Sequence, residues 1–329
     1  MSRFLLRRVA FYLFTAWIAI SLNFLLPRLM PGDPAEALIS SMSQRQPLLP
    51  EQAEAIRAMF GGTQRPLLEQ YFTYLNNLFH LDLGVSTSFY PQPVSEVVGD
   101  AIWWTIVLVG TTTVLGFLLG TGLGILIGGK PGGRLDSVLT PVSTFLGALP
   151  YFWVALLTVM IFGLNLEWLP VSGGWNPDVP IGLTLEFVAS AAEFAILPAT
   201  TILLSSFSGW MFGMRNMMIT TAAEDYVLLG TAKGLKPRAV LMNYQARNAI
   251  LPSVAGFATA IGGVVGGSLL AEIVFAYPGV GTLMFKAIGQ LDYPLMQALF
   301  LVISLSVLGA NFIADSVYGL LDPRTREVR

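Results

Sequence analysis

The residues that most often carry out catalysis are scarce in this sequence. Its 329 residues include no cysteine and a single histidine, His80, which removes thiolate chemistry and any metal site built from several histidines of one chain. Neither a G-x-S-x-G nor an H-E-x-x-H motif occurs, and the acidic residues form no obvious catalytic pair. The sequence therefore argues against an enzyme and predicts no catalytic residue and no metal site.

One stretch matches the beginning of a phosphate-binding loop. Residues 124–131 read GILIGGKP, but Pro131 stands where Ser or Thr would bind magnesium. Lys130 also ends an apolar run, whereas the loop's lysine begins a helix that follows a strand. We therefore expect no ATP, magnesium or other cofactor to be bound by this chain.

Composition places the chain in a membrane. It is 54% hydrophobic and only 12% charged, about half the charged share of a soluble domain. Stretches without Asp, Glu, Lys or Arg meet or approach the roughly 20 residues of a membrane-spanning helix. They are residues 9–27, 101–129, 138–166, 194–214, 254–271 and 295–314. The predicted fold class is an all-α membrane protein with six transmembrane helices.

The distribution of basic residues predicts the orientation. With the N-terminus inside, most Lys and Arg residues fall in cytoplasmic segments, as the positive-inside rule requires. They are Arg3, Arg7, Arg8, Lys130, Arg134, Arg215, Lys233, Lys236, Arg238, Arg247, Arg324, Arg326 and Arg329. The first apolar stretch is longer than that of a signal peptide and no small-residue cleavage site follows it. We expect a retained first helix and both termini in the cytoplasm.

These spans divide the chain into four predicted regions. Residues 1–30 hold the N-terminal segment and first span, and residues 31–100 form a large external loop. In that loop, LPEQAEAIRAMF and PLLEQYFTYLNNLFH carry Pro near a helix start and apolar residues at helical spacing, which predicts two short helices. Residues 101–321 form a transmembrane core of five helices with a cytoplasmic loop at 215–253, and residues 322–329 form a cytoplasmic tail.

The apolar stretches contain no ionisable residue, which disfavours an ion-coupled carrier that uses an intramembrane carboxylate. A path for water-soluble cargo would then be lined by hydroxyl and aromatic groups. Hydroxyls can equally bond to the backbone of their own helix, and both interpretations stay open. The candidate path residues are Thr112, Tyr151, Trp153, Thr201, Ser205 and Ser208.

Glycines recur every four residues in two spans. Gly116, Gly120 and Gly124 share one face of the second span, and Gly262 and Gly266 share a face of the fifth. Such faces let helix backbones approach closely. We expect the two helices to pack closely, with each other or with another subunit.

The cytoplasmic loop carries the signals of a short helix at 222–233. Glu224 and Asp225 fall in the first turn, Lys233 falls in the last, and Gly234 suits a C-terminal cap. Gly230 and Ala232 reduce side-chain bulk on an element that the sequence places outside the membrane. A partner surface would explain this, but so would an ordinary solvated connector.

Residues 224–252, EDYVLLGTAKGLKPRAVLMNYQARNAILP, resemble the coupling loop of binding-protein-dependent ABC importer permeases of the dipeptide, oligopeptide and nickel branch. Four other regions resemble the same family in the same order. These are PRLMPGDPA, RPLLEQYFTYLNNLFHLDLGVS, AEIVFAYPGVGTLMFKAI with LDYPLMQ, and NFIADSVYGLLDPRTR.

The resemblance implies a permease subunit in a bacterial or archaeal cytoplasmic membrane, working by alternating access. It implies two ATP-binding subunits that hold ATP and magnesium, a second homologous permease and an extracytoplasmic binding protein. Residues 224–235 would form a coupling helix that docks on an ATP-binding subunit. Its expected contacts are Glu224, Asp225, Tyr226, Gly230, Ala232, Lys233 and Gly234. Leu228, Leu229 and Gly230 depart from the Glu-Ala-Ala of many permeases, so Glu224 or Asp225 would have to replace that Glu.

The cargo expected from this branch is a dipeptide or oligopeptide. Oligosaccharides of the cello or xylo type remain the alternative, because PYFW at 150–153 and the outer Trp168 and Trp175 offer aromatic faces for sugar rings. A lone channel or an ion-coupled carrier is a more distant alternative.

Overall fold

The structure is a computed structural model that describes residues 2–43, 48–60, 66–266 and 268–321. The described residues are almost entirely helical, with a single isolated bridge between Val85 and Pro93. The tail predicted at 322–329, with Arg324, Arg326 and Arg329, lies outside them. The helices are α1 (Ser2–Leu29), α2 (Pro34–Ser43), α3 (Pro50–Phe60), α4 (Leu67–Phe79), α5 (Val94–Gly128), α6 (Arg134–Ala148), α7 (Tyr151–Thr158), α8 (Leu185–Ala222), α9 (Asp225–Ala232), α10 (Pro237–Ala239), α11 (Arg247–Ala249), α12 (Leu251–Gly263), α13 (Leu269–Val274), α14 (Val280–Gly289) and α15 (Tyr293–Leu321).

Five helical segments are long and apolar enough to cross a membrane. They are Leu6–Leu29, Val94–Gly128, Leu185–Ala222, Leu251–Val274 and Tyr293–Ile313. A sixth span results if α6 is counted together with Tyr151–Asn165, which comprises α7 and a π-helical stretch at Val159–Asn165. The predicted fold class is therefore confirmed, with five or six spans. Both short helices predicted in the external loop are present as α3 and α4, and α2 is a third that the sequence analysis did not predict.

The third predicted span, residues 138–166, is not one straight helix. Its two halves meet at an angle of 98°. Leu149 has an extended backbone (φ −71°, ψ 131°) and precedes Pro150, which begins the second half. Proline lacks the N–H that would continue the helix and disfavours helical geometry in the residue before it, so the chain turns here.

Two other spans also differ from their predicted form. The fourth, predicted at 194–214, is the longer helix α8, Leu185–Ala222, whose first turn is capped by the Thr184 hydroxyl accepting from the Phe187 N–H. The fifth does not stay α-helical. It tightens into a 3₁₀ turn at Val264–Gly266, so Gly262 and Gly266 do not share the face of one α-helix as predicted.

The Cα positions group into two compact units. Among the described residues, one unit lies within 2–104 and 278–309, and the other lies within 105–277 and 310–321. The core of the first unit is an apolar cluster from the start of α5, from α14 and from the start of α15. Buried Asp292 accepts hydrogen bonds from the Ser86 hydroxyl and from the N–H groups of Ser88 and Leu295. It therefore fastens the segment before α5 to the first turn of α15.

In the second unit, the glycine face of α5 packs against α8. A Cβ atom added at Gly124 would lie 2.6 Å from Met214 Cβ and 2.7 Å from the Met211 carbonyl oxygen. Gly120 and Gly116 meet α8 in the same way, at Trp210 and Ser206. The close contact predicted for this face is present, but its partner is α8 and not the fifth span. Gly262 instead lies against Ala310 of α15.

We predict that Gly124→Ala lowers the thermal stability of the purified protein, because its methyl group would overlap the backbone of α8. The expected loss is about 1–3 kcal/mol, typical of overpacking. Gly122→Ala is the matched control, since nothing lies within 4 Å of its Cβ position on the same helix. Equal melting temperatures for the two variants would contradict the α5–α8 contact.

Candidate functional site

The candidate site is the short helix α9 and its surroundings. Glu224 has an extended backbone (φ −73°, ψ 142°) and ends the turn after α8, so that Asp225 begins α9 with its negative charge in the first turn. Lys233 is the C-terminal cap, and Gly234 follows with φ +74°, a conformation that glycine adopts without strain. The helix predicted at 222–233 is thus present at Asp225–Ala232.

The inner face of α9 packs on the segment that follows it. Val227 and Gly230 are buried, and the Cβ position of Gly230 lies 3.6 Å from the ring of Tyr244 in a π-helical stretch, Val240–Ala246. That stretch is tied to α8 because Gln245 Nε2 donates to the Met218 carbonyl oxygen at 2.7 Å. The position of α9 is therefore fixed through buried groups at the end of α8.

The outer face of α9 is exposed and largely apolar. Leu228 and Leu229 are 57% and 55% exposed, and Tyr226 is 38% exposed. The polar residues at the two ends of the helix, Glu224, Asp225 and Lys233, are exposed with Ala232 and Gly234. Gly230 is different from the other predicted contact residues: it is buried, and its Cβ position faces Tyr244 within the chain at ordinary van der Waals distance.

Arg215 does not belong to the exposed basic residues of this region. Its Nε and Nη2 atoms donate to Asp136 Oδ1 and Oδ2 at 2.7 and 2.8 Å, a two-point ion pair between α8 and α6. Asp136 is 5% exposed and also accepts from the Gly132 N–H and the Thr140 hydroxyl. The pair therefore joins the start of α6 to α8, and the sequence analysis had grouped Arg215 only with the cytoplasmic charges.

The predicted path residues have bonds that account for most of their hydroxyls. Thr112 and Ser205 donate to carbonyl groups of their own helices, at Leu108 and Thr201. Thr201 donates to the Leu197 carbonyl and lies 3.1 Å from the Thr158 hydroxyl. Ser208 donates to the Ser143 carbonyl of α6 at 2.8 Å. These bonds fit helix packing, and the role of the residues along a path stays a prediction.

The two aromatic residues among the predicted path residues, Tyr151 and Trp153, lie in different surroundings. The Tyr151 hydroxyl bonds to the Ser268 hydroxyl, whereas Trp153 is 53% exposed.

One buried carboxylate lies inside a candidate span. Glu272 is fully buried and accepts a hydrogen bond from the Thr105 hydroxyl at 3.0 Å. Glu272 lies within the span Leu251–Val274, so the expectation of spans without ionisable residues is wrong here. The sequence signal was a lone carboxylate directly after residue 271, flanked by apolar residues.

No group of three or more His, Cys, Asp or Glu side chains in the described ranges could hold a metal ion. The geometry thus offers an exposed apolar face on α9, buried hydrogen bonds between helices, and no group of metal ligands among the described residues.

Comparison with known proteins identifies the family. Residues 120–327 match the family described as binding-protein-dependent transport system inner membrane component, and the chain belongs to that family. It is 30% identical to the oligopeptide transport system permease protein AppB of Bacillus subtilis over 92% of both chains. It is also 30% identical to the di/tripeptide transport system permease protein DppB of Pseudomonas aeruginosa over the full length of both. The chain is therefore a multi-pass membrane permease subunit of a transport system.

A solved structure supports the fold. A chain of the MetNI methionine ABC transporter in an inward-facing conformation superposes with a TM-score of 0.53 over 69% of this chain and 96% of that chain. At 14% identity this likeness concerns the fold alone.

We predict that Arg215→Met destabilises the protein by about 3 kcal/mol, because it leaves the buried Asp136 carboxylate without its counter-ion. Adding Asp136→Asn should restore part of this loss, since the unpaired charge is then removed. Arg238→Met, a change at an exposed basic position, is the control and should leave the melting temperature within about one degree. Thermal unfolding of the purified variants measures all three, and additive losses in the double variant would argue against the pair.

Proposed function

We propose that this chain is the translocation subunit of an ATP-driven importer and that α9 is its contact with an ATP-binding subunit. The observation that carries the proposal is the two-sided character of α9: an inner face seated on Tyr244 and an outer face with Leu228 and Leu229 exposed. An apolar patch on a short helix outside the predicted spans is suited to a groove of a partner protein.

The connection between α9 and α8 gives this contact a mechanical consequence. The buried bond from Gln245 to Met218 and the pair between Arg215 and Asp136 tie the region around α9 to α8 and α6. If the ATP-binding subunit displaces α9, the helices α8 and α6 would therefore move with it. ATP hydrolysis in that subunit would bias the spans between inward-open and outward-open states.

The proposed assembly contains two ATP-binding subunits, a second homologous permease and an extracytoplasmic binding protein. ATP and magnesium belong to the ATP-binding subunits. Both termini and α9 are placed in the cytoplasm, which agrees with the excess of Lys and Arg in those segments. The loop before α5 is then external.

We propose di- and oligopeptides as the cargo. The relatives that match over nearly the whole chain are described as oligopeptide and di/tripeptide transport permeases, and this is the main support. Oligosaccharide cargo remains a second candidate because Trp153 and Trp168 are 53% and 66% exposed. Exposed tryptophans are also typical anchors at a membrane interface, so the aromatic argument is weaker.

Leu228→Asp should weaken the binding of this chain to the ATP-binding subunits. A charge on the outer face of α9 would be buried against the partner without a counter-charge, so ATP-binding subunits should no longer copurify at wild-type yield. Leu183→Asp is the matched control, since Leu183 is fully exposed in the segment before α8, at the other end of that helix. Full copurification with Leu228→Asp would refute the docking role of α9.

The cargo prediction is tested on the purified complex in nanodiscs with its binding protein. ATP hydrolysis should rise when dipeptides to pentapeptides are added and stay at its basal rate with cello- and xylo-oligosaccharides. Stimulation by the sugars alone would replace the peptide assignment while keeping the importer.

A further inference from the structure

A cavity of about 440 Å³ lies within the first unit, and none of its lining residues belongs to α9. This volume falls in the range of sites for small ligands. Its walls come from the end of α1, from α3 at Ala58, from α4, from the segment before α5 and from the start of α15. The polar side chains that matter here are Arg28, Thr73, Tyr74, Asp82 and Gln297.

Arg28 is held in a fixed position at this cavity. Its Nε donates to Gln70 Oε1 at 3.0 Å and its Nη1 donates to the Phe24 carbonyl oxygen at 2.8 Å. The guanidinium carbon also lies 3.7 Å from the centre of the Phe24 ring. No described residue accepts a hydrogen bond from Nη2, so a positioned cationic donor remains available.

Two further groups at the cavity are buried donors without partners. The Tyr74 hydroxyl and Gln297 Nε2 are both shielded from solvent, and neither has a hydrogen-bond partner within the described part of the chain. Burial raises the pKa of the Tyr74 hydroxyl above its ordinary value, so the group stays protonated at neutral pH. Leaving such donors buried and unpaired is unfavourable, and an acceptor would relieve both.

Two other polar side chains at the cavity, Thr73 and Asp82, already have hydrogen-bond partners, which limits the kinds of ligand that the cavity can bind. The Thr73 hydroxyl donates to the Glu69 carbonyl oxygen at 2.9 Å, and Asp82 Oδ1 accepts from the Gly84 N–H at 2.9 Å. The Asn77 side-chain amide also lines the cavity and can donate or accept. The Arg28 cation and the two neutral donors without partners match an acceptor-only group with a negative charge. The Asp82 carboxylate disfavours a ligand with several negative charges.

We propose that this cavity binds a small oxyanion, a carboxylate or phosphate group, through Arg28, Tyr74 and Gln297. The group can belong to a soluble molecule or to a lipid headgroup, since Arg28 is the penultimate residue of α1, whose membrane-spanning segment is Leu6–Leu29. The proposal depends neither on α9 nor on the identity of the cargo.

The test is the thermal stability of the purified complex in lipid-free detergent, with four probes. These are inorganic phosphate, a dipeptide with a free carboxylate, the same dipeptide as its C-terminal amide, and a short-chain phosphatidylglycerol. The melting temperature should rise with at least one oxyanion probe and not with the amide. A rise with phosphate or the free dipeptide identifies a soluble source, and a rise with phosphatidylglycerol alone identifies the lipid. If no oxyanion probe raises it, or if the amide acts as well as the acid, the proposal is overturned.

Tyr74→Phe locates the effect in this cavity. Without a probe it should leave the melting temperature unchanged or raise it, because the lost hydroxyl had no partner. With the active probe, the half-saturating concentration should increase about three- to tenfold. Tyr71→Phe is the matched control, because Tyr71 lies on the same helix as Tyr74 but does not line the cavity. Its hydroxyl lies 2.7 Å from the Ser21 hydroxyl of α1 and forms a hydrogen bond with it. That variant should lose stability without a probe and keep the wild-type probe response.

Arg28→Gln should remove the probe response, whereas Arg57→Gln should keep it, because Arg57 lies on the surface and pairs with Glu36. Wild-type probe affinity in both Tyr74→Phe and Arg28→Gln would overturn the assignment.

Discussion

A polar group in the hydrocarbon core of a membrane has to form its hydrogen bonds within the protein, and this constraint shapes most of the structure. Helices satisfy the backbone of the long spans, and hydroxyls such as those of Thr112 and Ser205 bond back to it. The buried carboxylate of Asp136 is paired with Arg215 through two hydrogen bonds. The buried carboxylate of Glu272 likewise has Thr105 as a donor. Some buried side-chain atoms of the described residues have no partner, among them Asn23 Nδ2 of α1. Two of these atoms, the Tyr74 hydroxyl and Gln297 Nε2, belong to residues that line the cavity beside Arg28.

The same constraint explains how a small exposed helix can act on the membrane part. The seat of α9 is made of buried contacts, with Tyr244 under Gly230 and Gln245 bonded to α8. The interior between α5 and α8 has no spare volume at Gly120 and Gly124, so α8 cannot move without α5. In our proposal, force applied to the outer face of α9 therefore moves a packed set of helices and not a single element.

The sequence predicted the elements that depend on local signals. Apolar length identified the spans, charge at both ends and Gly234 identified α9, and the four-residue glycine repeat identified a close helix contact. It did not predict features that depend on tertiary contacts. The partner of the glycine face, the use of Arg215 by Asp136 and the burial of Glu272 each involve residues far apart in the sequence. The bend at Leu149 and Pro150 was visible as a proline, but its angle of 98° depends on packing around it.

The central claim is that α9 contacts an ATP-binding subunit, and site-specific cross-linking tests it most directly. The sequence contains no cysteine, so Leu228→Cys and Leu183→Cys each introduce a single reactive thiol. With a short photoreactive label, the thiol at position 228 should cross-link to the ATP-binding subunit in membranes, and its yield should change when nucleotide is added. The thiol at position 183 should give no such product. A cross-link from position 183 but not from position 228 would contradict both the role of α9 and the proposed orientation.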